Sequence, residues 1–277
     1  MGSVSSIALV LIIVAFTLVA APGYGSALWE VVAGGPTRKE QEGHLARVAP
    51  ASFESAMVWL LLLVFGGGVL YPRALRAMGT SLSAASATMI AAIALRALSF
   101  VVRSRVLSLL SLAAPVSMGL IVGVFSSGAV VGATPPSDGP PILWPVLIAA
   151  LTLAIFGWLS AVRLGEASAP DDPDTEGRAM HAFRSRALLS YFATMVLAIS
   201  AVFFAWTHAT GVYRQLIGGP LSWTLQAAIA IASVGALHMV IRERWQWAFR
   251  LAAIQSGLIV AGGIVAAQAA APAVFQQ

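Results

Sequence analysis

The chain has 277 residues, of which 59% are apolar and only 10% charged, against the roughly 25% charge of a soluble domain. A water-soluble fold of this size could not hide that much apolar surface, so lipid must cover part of it and the chain reads as an all-α, polytopic integral membrane protein. The +5 net charge does not point to nucleic acid: only one of the sixteen basic residues is a lysine, and the arginines flank apolar runs instead of clustering. The absence of cysteine removes disulfides, thiolate metal sites and cysteine nucleophiles.

Runs of about 20 residues, long enough to cross hydrocarbon, lie near 5–22, 54–72, 80–102, 106–132, 142–163, 185–207, 220–241 and 246–271. The first has no basic residue ahead of it, which predicts a retained span and not a cleaved signal. Pro115 and Pro145 predict a kink or a late helix start in the fourth and fifth spans. The polar segment 165–186, GEASAPDDPDTEGRAMHAFRSR, reads as a solvated connector. No phosphate loop, dinucleotide fingerprint, nucleophile elbow or calcium loop occurs. Two pseudo-symmetric four-helix bundles are expected, 1–140 and 141–277.

Arginine and lysine counts orient the spans. One side carries Arg38, Lys39, Arg47, Arg103, Arg105, Arg163, Arg178, Arg184, Arg186, Arg242, Arg244 and Arg250, the other only Arg73, Arg76 and Arg214. Twelve against three places the first set in the cytoplasm and both termini outside.

Two ionisable residues sit where hydrocarbon makes them costly. Arg96, inside MIAAIALRALSFVV, is far enough from the span ends to strain snorkelling, and arginine at a helix centre costs about 2.5–3.5 kcal/mol even on the lenient scale. It is expected to face the bundle interior and pair with an acid or a cofactor carboxylate, sharing one helix face with Phe100 and Arg103. Glu54 opens the second span on the same side. Either it is a first-turn acid supported by the helix dipole, or it is a proton-loading carboxylate tuned by Arg96 at comparable depth. Gly66 and Gly67, in FGGGV, are expected to allow close helix approach within that span.

Histidine is the usual axial ligand of heme. His44 and His181 fall in polar stretches, His208 at a span end, and only His238 within a span. One such histidine does not make a heme site, so packing or a hydrogen bond is the expectation for His238, and no metal site is expected. Met57, Met89, Met118, Met195 and Met239 read as packing residues. Trp59, Trp144, Trp158, Trp206, Trp223, Trp245 and Trp247 mostly lie near span ends, as an aromatic belt requires.

The stretch Phe53-Glu54-Ser55 followed by Trp59-Leu60 resembles subunit II of the cytochrome bd quinol oxidases, where a Trp-Asp-Gly-x-x-x-Trp-Leu segment enters the second helix. Gly66, Gly67 and Tyr71-Pro72 are similar to the family's paired glycines and aromatic-proline step. Arg96, Phe100 and Arg103 match its third-helix pattern without a gap. FGWLSAVRLGEA with FRSRALLSYFA, and the ending GLIVAGGIVAAQAAAPAVF, look like its fifth-to-sixth connection and last helix. The chain departs from the family where the first helix usually ends in Asp-Gly-Phe-Asp: Pro22, Gly23, Tyr24 and Gly25 stand there. Glu54 and Phe53 also replace the usual aspartate and tryptophan.

The resemblance implies a role beside a larger, heme-bearing subunit I in the bacterial inner membrane. That complex oxidises quinol and reduces oxygen to water. Heme b and heme d would be held mainly by the partner, and no catalytic residue would lie in this chain. A small single-span accessory subunit and a structural quinone or lipid fit the same picture. Carried over residue by residue, Glu54 would lie on a cytoplasmic proton path with Arg96 as its electrostatic partner, and Trp59 beside an oxygen channel. Two other readings stay open on the residues: an eight-span permease such as a copper-resistance-type importer, and a purely structural subunit with blocked channels.

Overall fold

The computed structural model describes residues 2–127, 143–169, 178–208 and 210–270. Those residues form eleven α-helices and no strand: α1 Gly2–Val32, α2 Arg38–Leu70, α3 Pro72–Gly79, α4 Ser83–Val102, α5 Arg105–Ser111, α6 Ala113–Ser126, α7 Leu143–Ala167, α8 Arg178–His208, α9 Thr210–Ile217, α10 Pro220–Ile241 and α11 Trp245–Ala270. Eight stretches are long and apolar enough to cross a membrane: α1, α2, α4, α5 with α6, α7, α8, α10 and α11. The chain is a multi-pass membrane helical bundle.

Two spans are longer than the hydropathy pattern suggested. The first was expected to end at residue 22, yet α1 runs through Pro22 to Val32. Burial carries it on, because Ala20, Ala21, Tyr24 and Ala27 lie on one face and are fully enclosed. Packing of that kind outweighs one lost backbone hydrogen bond. The second span begins well before residue 54, at Arg38, and contains Pro50. Gln41, Leu45, Ala49, Phe53 and Ala56 are its buried residues. Their spacing of three and four marks an amphipathic helix face where a polar loop was expected. His44 and His181 are accordingly helical, with His44 Nδ1 2.8 Å from Arg47 Nη2.

The proline positions act locally. The fourth span breaks at Leu112, between α5 and α6, and Pro115 stands in the first turn of α6. Pro145 likewise lies in the first turn of α7. Residues 170–177 of the expected connector lie outside the described residues; α7 and α8 extend into it from either side.

The centre of the bundle is α7, packed against α1, α6, α8 and α11, while α1 also packs on α2, α5 and α11. Burial follows this arrangement: 61% of the apolar window of α7 is buried, against 11% for α2 and 17% for α4. Chain connectivity gathers the C-termini of α1, α4, α7 and α10 at one end with the N-termini of α2, α5, α8 and α11. Twelve of the basic residues fall towards this end, here called the arginine-rich end. The short helices α3 and α9, eight residues each, lie between spans at the opposite end.

Candidate functional site around Arg96

Arg96 is fully buried. Its helix, α4, presents it to α1, and acceptors from five residues surround the guanidinium. Nε donates to the Gly23 carbonyl at 2.9 Å, and Nη2 donates to Ser26 Oγ at 2.6 Å and Glu30 Oε1 at 2.7 Å. Nη1 donates to Glu30 Oε2 at 3.0 Å, Ser99 Oγ at 3.3 Å and Ser108 Oγ at 3.5 Å. Ser108 in turn donates a short hydrogen bond to Glu30 Oε2. The Arg96–Glu30 contact is thus a two-pronged fork, which matches guanidinium to carboxylate geometry. A buried arginine with every nitrogen engaged is what a low-dielectric interior demands.

The local sequence explains why α1 can serve Arg96. A Cβ on Gly23 would lie 2.9 Å from the Phe53 backbone nitrogen, and one on Gly25 would overlap the Phe156 carbonyl. Glycine at 23 therefore lets α2 approach α1, and glycine at 25 lets α7 approach from another side. Ser26 and Glu30 follow at helical spacing and point at Arg96. Trp29, turned to the flank of that face, donates from Nε1 to Ser160 Oγ at 2.7 Å and the Gly157 carbonyl at 3.2 Å, tying α1 to α7. The exposed carbonyls at the end of α1 are also satisfied. Arg105 Nη2 donates to Ala33 at 2.7 Å and Arg186 Nη2 to Val32 at 3.3 Å, cations at the negative end of a helix dipole.

Sequence reasoning missed Glu30. The run was cut at Pro22, which left the acid outside any span. The signal that could have found it is the continued apolar periodicity of Tyr24, Ala27 and Leu28 beyond the proline.

Glu54 is not the carboxylate that pairs with Arg96. It is exposed on the outer side of α2, and among the described residues it makes no ion pair. Its neighbour Phe53, not Glu54, reaches towards the Arg96 site. The Phe53 ring packs edge-on against Tyr24 and against Phe100, both at 5.4 Å between centroids. Arg96 stands over the Phe100 ring at 4.4 Å. One residue turns a helix by about 100°, so placing Phe53 inward sends Glu54 out.

Other expected positions also move. Arg103 does not share the inner face with Arg96 and Phe100: α4 ends at Val102, and Arg103 is exposed in the left-handed conformation at φ 53°. Among the described residues Gly66 and Gly67 mediate no tight contact, since a Cβ on Gly66 would meet only Ile12 at 3.7 Å and one on Gly67 nothing within 4 Å. Pro72 is exposed and serves as the first residue of α3. Trp59 is half-buried against the core. Trp206, Trp223 and Trp247 are exposed as a belt requires, whereas Trp144, Trp158 and Trp245 are core residues.

The bundle also holds an apolar cavity of about 470 Å³, lined by residues such as Phe16, Leu60, Met118, Ile121, Met195 and Ile259. Among the described side chains, no histidine is enclosed in the bundle where a heme would need an axial ligand. The side chain of His238 is exposed on α10, that of His181 is exposed on α8, and His44 is engaged with Arg47. No three His, Asp or Glu side chains among the described residues converge as metal ligands.

No protein-family model matches the sequence, and no curated relative matches it. Among solved structures, the chain is similar to one described as the structure of bd oxidase from Geobacillus thermodenitrificans. The TM-score is 0.73 at 16% identity, covering 96% of this chain and 84% of that one. The fold is cytochrome bd-like. Because that likeness spans nearly the whole chain, the Arg96 clasp belongs to the bd-like bundle itself and not to an appended domain.

Proposed function

We propose that this chain is subunit II of a bd-type terminal oxidase, the partner of a heme-bearing subunit I in quinol oxidation coupled to oxygen reduction, in the bacterial cytoplasmic membrane. Heme b and heme d are assigned to the partner, and His238, the one histidine expected within a span, has its side chain exposed on α10. The observation that carries the reading is a fully buried, fully bonded arginine at one end of a fold that follows a bd oxidase chain over 96% of this sequence.

Two carboxylates then take different places on the proton side. Glu30, about a fifth exposed, stands between buried Arg96 and the arginine-rich end, which the charge count assigns to the cytoplasm. Arg96 and Ser108 both donate to its carboxylate, which fixes that side chain in place at the mouth of the clasp. Glu54 lies on the outer wall of α2. An acid left facing lipid is costly, so a docked partner covering that wall fits it better than bare hydrocarbon. There its carboxylate can hold a proton for the neighbouring redox core. Trp59 lies just beyond it on the same helix, where an oxygen channel is assigned. The apolar cavity suits an isoprenoid or acyl chain, a structural quinone or lipid. Support for two related halves comes from α3 and α9, which occupy equivalent places, and from Arg103 at φ 53° and Glu243 at φ 58°, which follow α4 and α10 as left-handed residues.

The test is an absorption spectrum of the complex purified in detergent through a tag on this chain. Bands of b- and d-type heme should travel with it, and a stable heme-free monomer overturns the proposal. Within an intact complex, Glu54→Gln should slow oxygen consumption while leaving heme content unchanged; unaltered turnover removes Glu54 from the proton path.

A further inference from the structure

Away from Arg96, a second polar group lies buried in the C-terminal half. Tyr191 on α8 shares a hydrogen bond of 3.0 Å with Ser233 on α10, and Ser233 Oγ donates to Met195 Sδ at 3.2 Å. Gln255 on α11 donates from Nε2 to the same sulfur at 3.6 Å. A thioether is a weak acceptor, so this knot is poorly compensated on that side.

On residues of this knot, in ring contact with it or next to it in the chain, three fully enclosed polar atoms have no partner among the described residues: Gln255 Oε1, Trp158 Nε1 and Ser256 Oγ. Gln255 and Trp158 are 0% exposed and Ser256 1%. The Trp158 ring stands 5.3 Å from the Tyr191 ring, which brings it to the same knot. Ser256 differs from Ser26, Ser160 and Thr194, whose hydroxyls return to a carbonyl one helical turn back. Its oxygen is left for another donor or acceptor.

Buried polar atoms are almost always hydrogen-bonded, to protein or to ordered water. The unmet inventory here is complementary, with an acceptor at Gln255, a donor at Trp158 and a hydroxyl at Ser256 that can be either. Water is the small molecule that satisfies such a set, typically with two to four bonds. We propose that α7, α8, α10 and α11 enclose an internal water site, in which water donates to Gln255 Oε1 and accepts from Trp158 Nε1. The site is independent of the oxidase reading. It adjoins the apolar cavity, because Met195 lines that cavity too, as does Ile259 one turn after Gln255. The two spaces should differ in content, because apolar cavities stay dry and polar ones hydrate.

The first test is a high-resolution electron cryo-microscopy map of the intact protein. A compact peak 2.6–3.2 Å from Gln255 Oε1, the range expected of O–H···O and N–H···O bonds, supports the site. Three maps overturn it: an ordered Gln255 with no peak, a direct Trp158–Gln255 hydrogen bond, or elongated density running into the cavity, which marks a lipid hydroxyl instead. The second test is thermal. With water bound, Gln255→Met removes a satisfied group and should lower the apparent Tm by about 2–4 °C. A raised Tm means the carbonyl was unpaired, and overturns the site.

Discussion

Removing the carboxylate of Glu30 is the sharpest test of the Arg96 clasp. In Glu30→Ala, Arg96 keeps Gly23, Ser26, Ser99 and Ser108 as acceptors but loses both prongs of its fork. Breaking one side of a buried pair costs about 3–5 kcal/mol, because the remaining charge stays buried and uncompensated. Arg96 is 0% exposed and Glu30 21%, so water can enter from the Glu30 side and hold the loss to the lower end, about 3 kcal/mol. For a chain of this size that is an apparent Tm lower by about 6–12 °C. Fluorescence-detected unfolding in detergent, using the eight native tryptophans, reads it. Glu54→Ala is the internal control. Its side chain is exposed and unpaired among the described residues, so it should shift stability by less than about 0.5 kcal/mol. The double variant Arg96→Met with Glu30→Leu removes both charges and should recover most of the loss. A Glu30→Ala protein as stable as wild type, or a double variant less stable than Glu30→Ala alone, refutes the assignment.

Gly25→Ala should part α1 from α7, because the new methyl overlaps the Phe156 carbonyl and Ser160 Oγ; overpacking of this kind costs about 1–3 kcal/mol or more. Gly67→Ala, with nothing within 4 Å among the described residues, should be neutral, and equal yields and Tm for the two variants contradict the packing. Trp29→Phe should lower the apparent Tm by about 2–8 °C through loss of the donor to Ser160 and Gly157, an effect of about 1–2 kcal/mol. An unchanged Tm shows that bond to be absent. Since the chain lacks cysteine, Val58→Cys on α2 and Val196→Cys on α8, both strongly exposed, can be labelled cleanly with a lipophilic maleimide. In the proposed complex Val58→Cys should be protected and Val196→Cys labelled; equal labelling of both contradicts a partner on the α2 wall.

The eight spans were legible because hydrocarbon thickness and a low charge content leave few alternatives. The seventh was readable at both ends: Gly219-Pro220 starts α10, and Arg242 follows it. Arg96 stood out because an arginine in mid-span needs a reason. Which acid answers it was not legible. The choice of Glu54 rested on sequence proximity to the second span, whereas the real constraint was rotational: Phe53 takes the inward position, and no composition rule says which of two adjacent residues faces in. Glu30 was hidden by a proline-glycine step that usually ends a helix. Here α2 and α7 bury that step, and tertiary contacts outweigh the local signal. The glycines misled for a related reason. FGGGV looks like a close-contact motif, yet the close contacts fall at Gly23 and Gly25, where a neighbouring backbone lies against the helix.

A buried ion pair is weak evidence for stability, since apolar residues of the same shape often serve as well. Its use here is better sought in what else holds α4. Only 17% of the apolar window of that helix is buried, and it touches α2 sparsely, packing chiefly on α5 and α6. Ile90, Leu98, Val101 and Val102 face outward, as do Val58, Leu61, Leu62, Phe65 and Val69 of α2. Apolar contact alone would let so lightly packed a helix rotate or slide in lipid, because lipid tails satisfy its surface nearly as well as protein does. The directional fork from Arg96 to Glu30 fixes both rotation and register, and the Gly23 carbonyl and Ser26 hydroxyl leave one arrangement that satisfies every nitrogen. The clasp therefore lets α4 keep a wide apolar face unburied by this chain without losing its place. An outer face held in register in that way, with Glu54 exposed on α2, suits the second membrane subunit proposed for this chain.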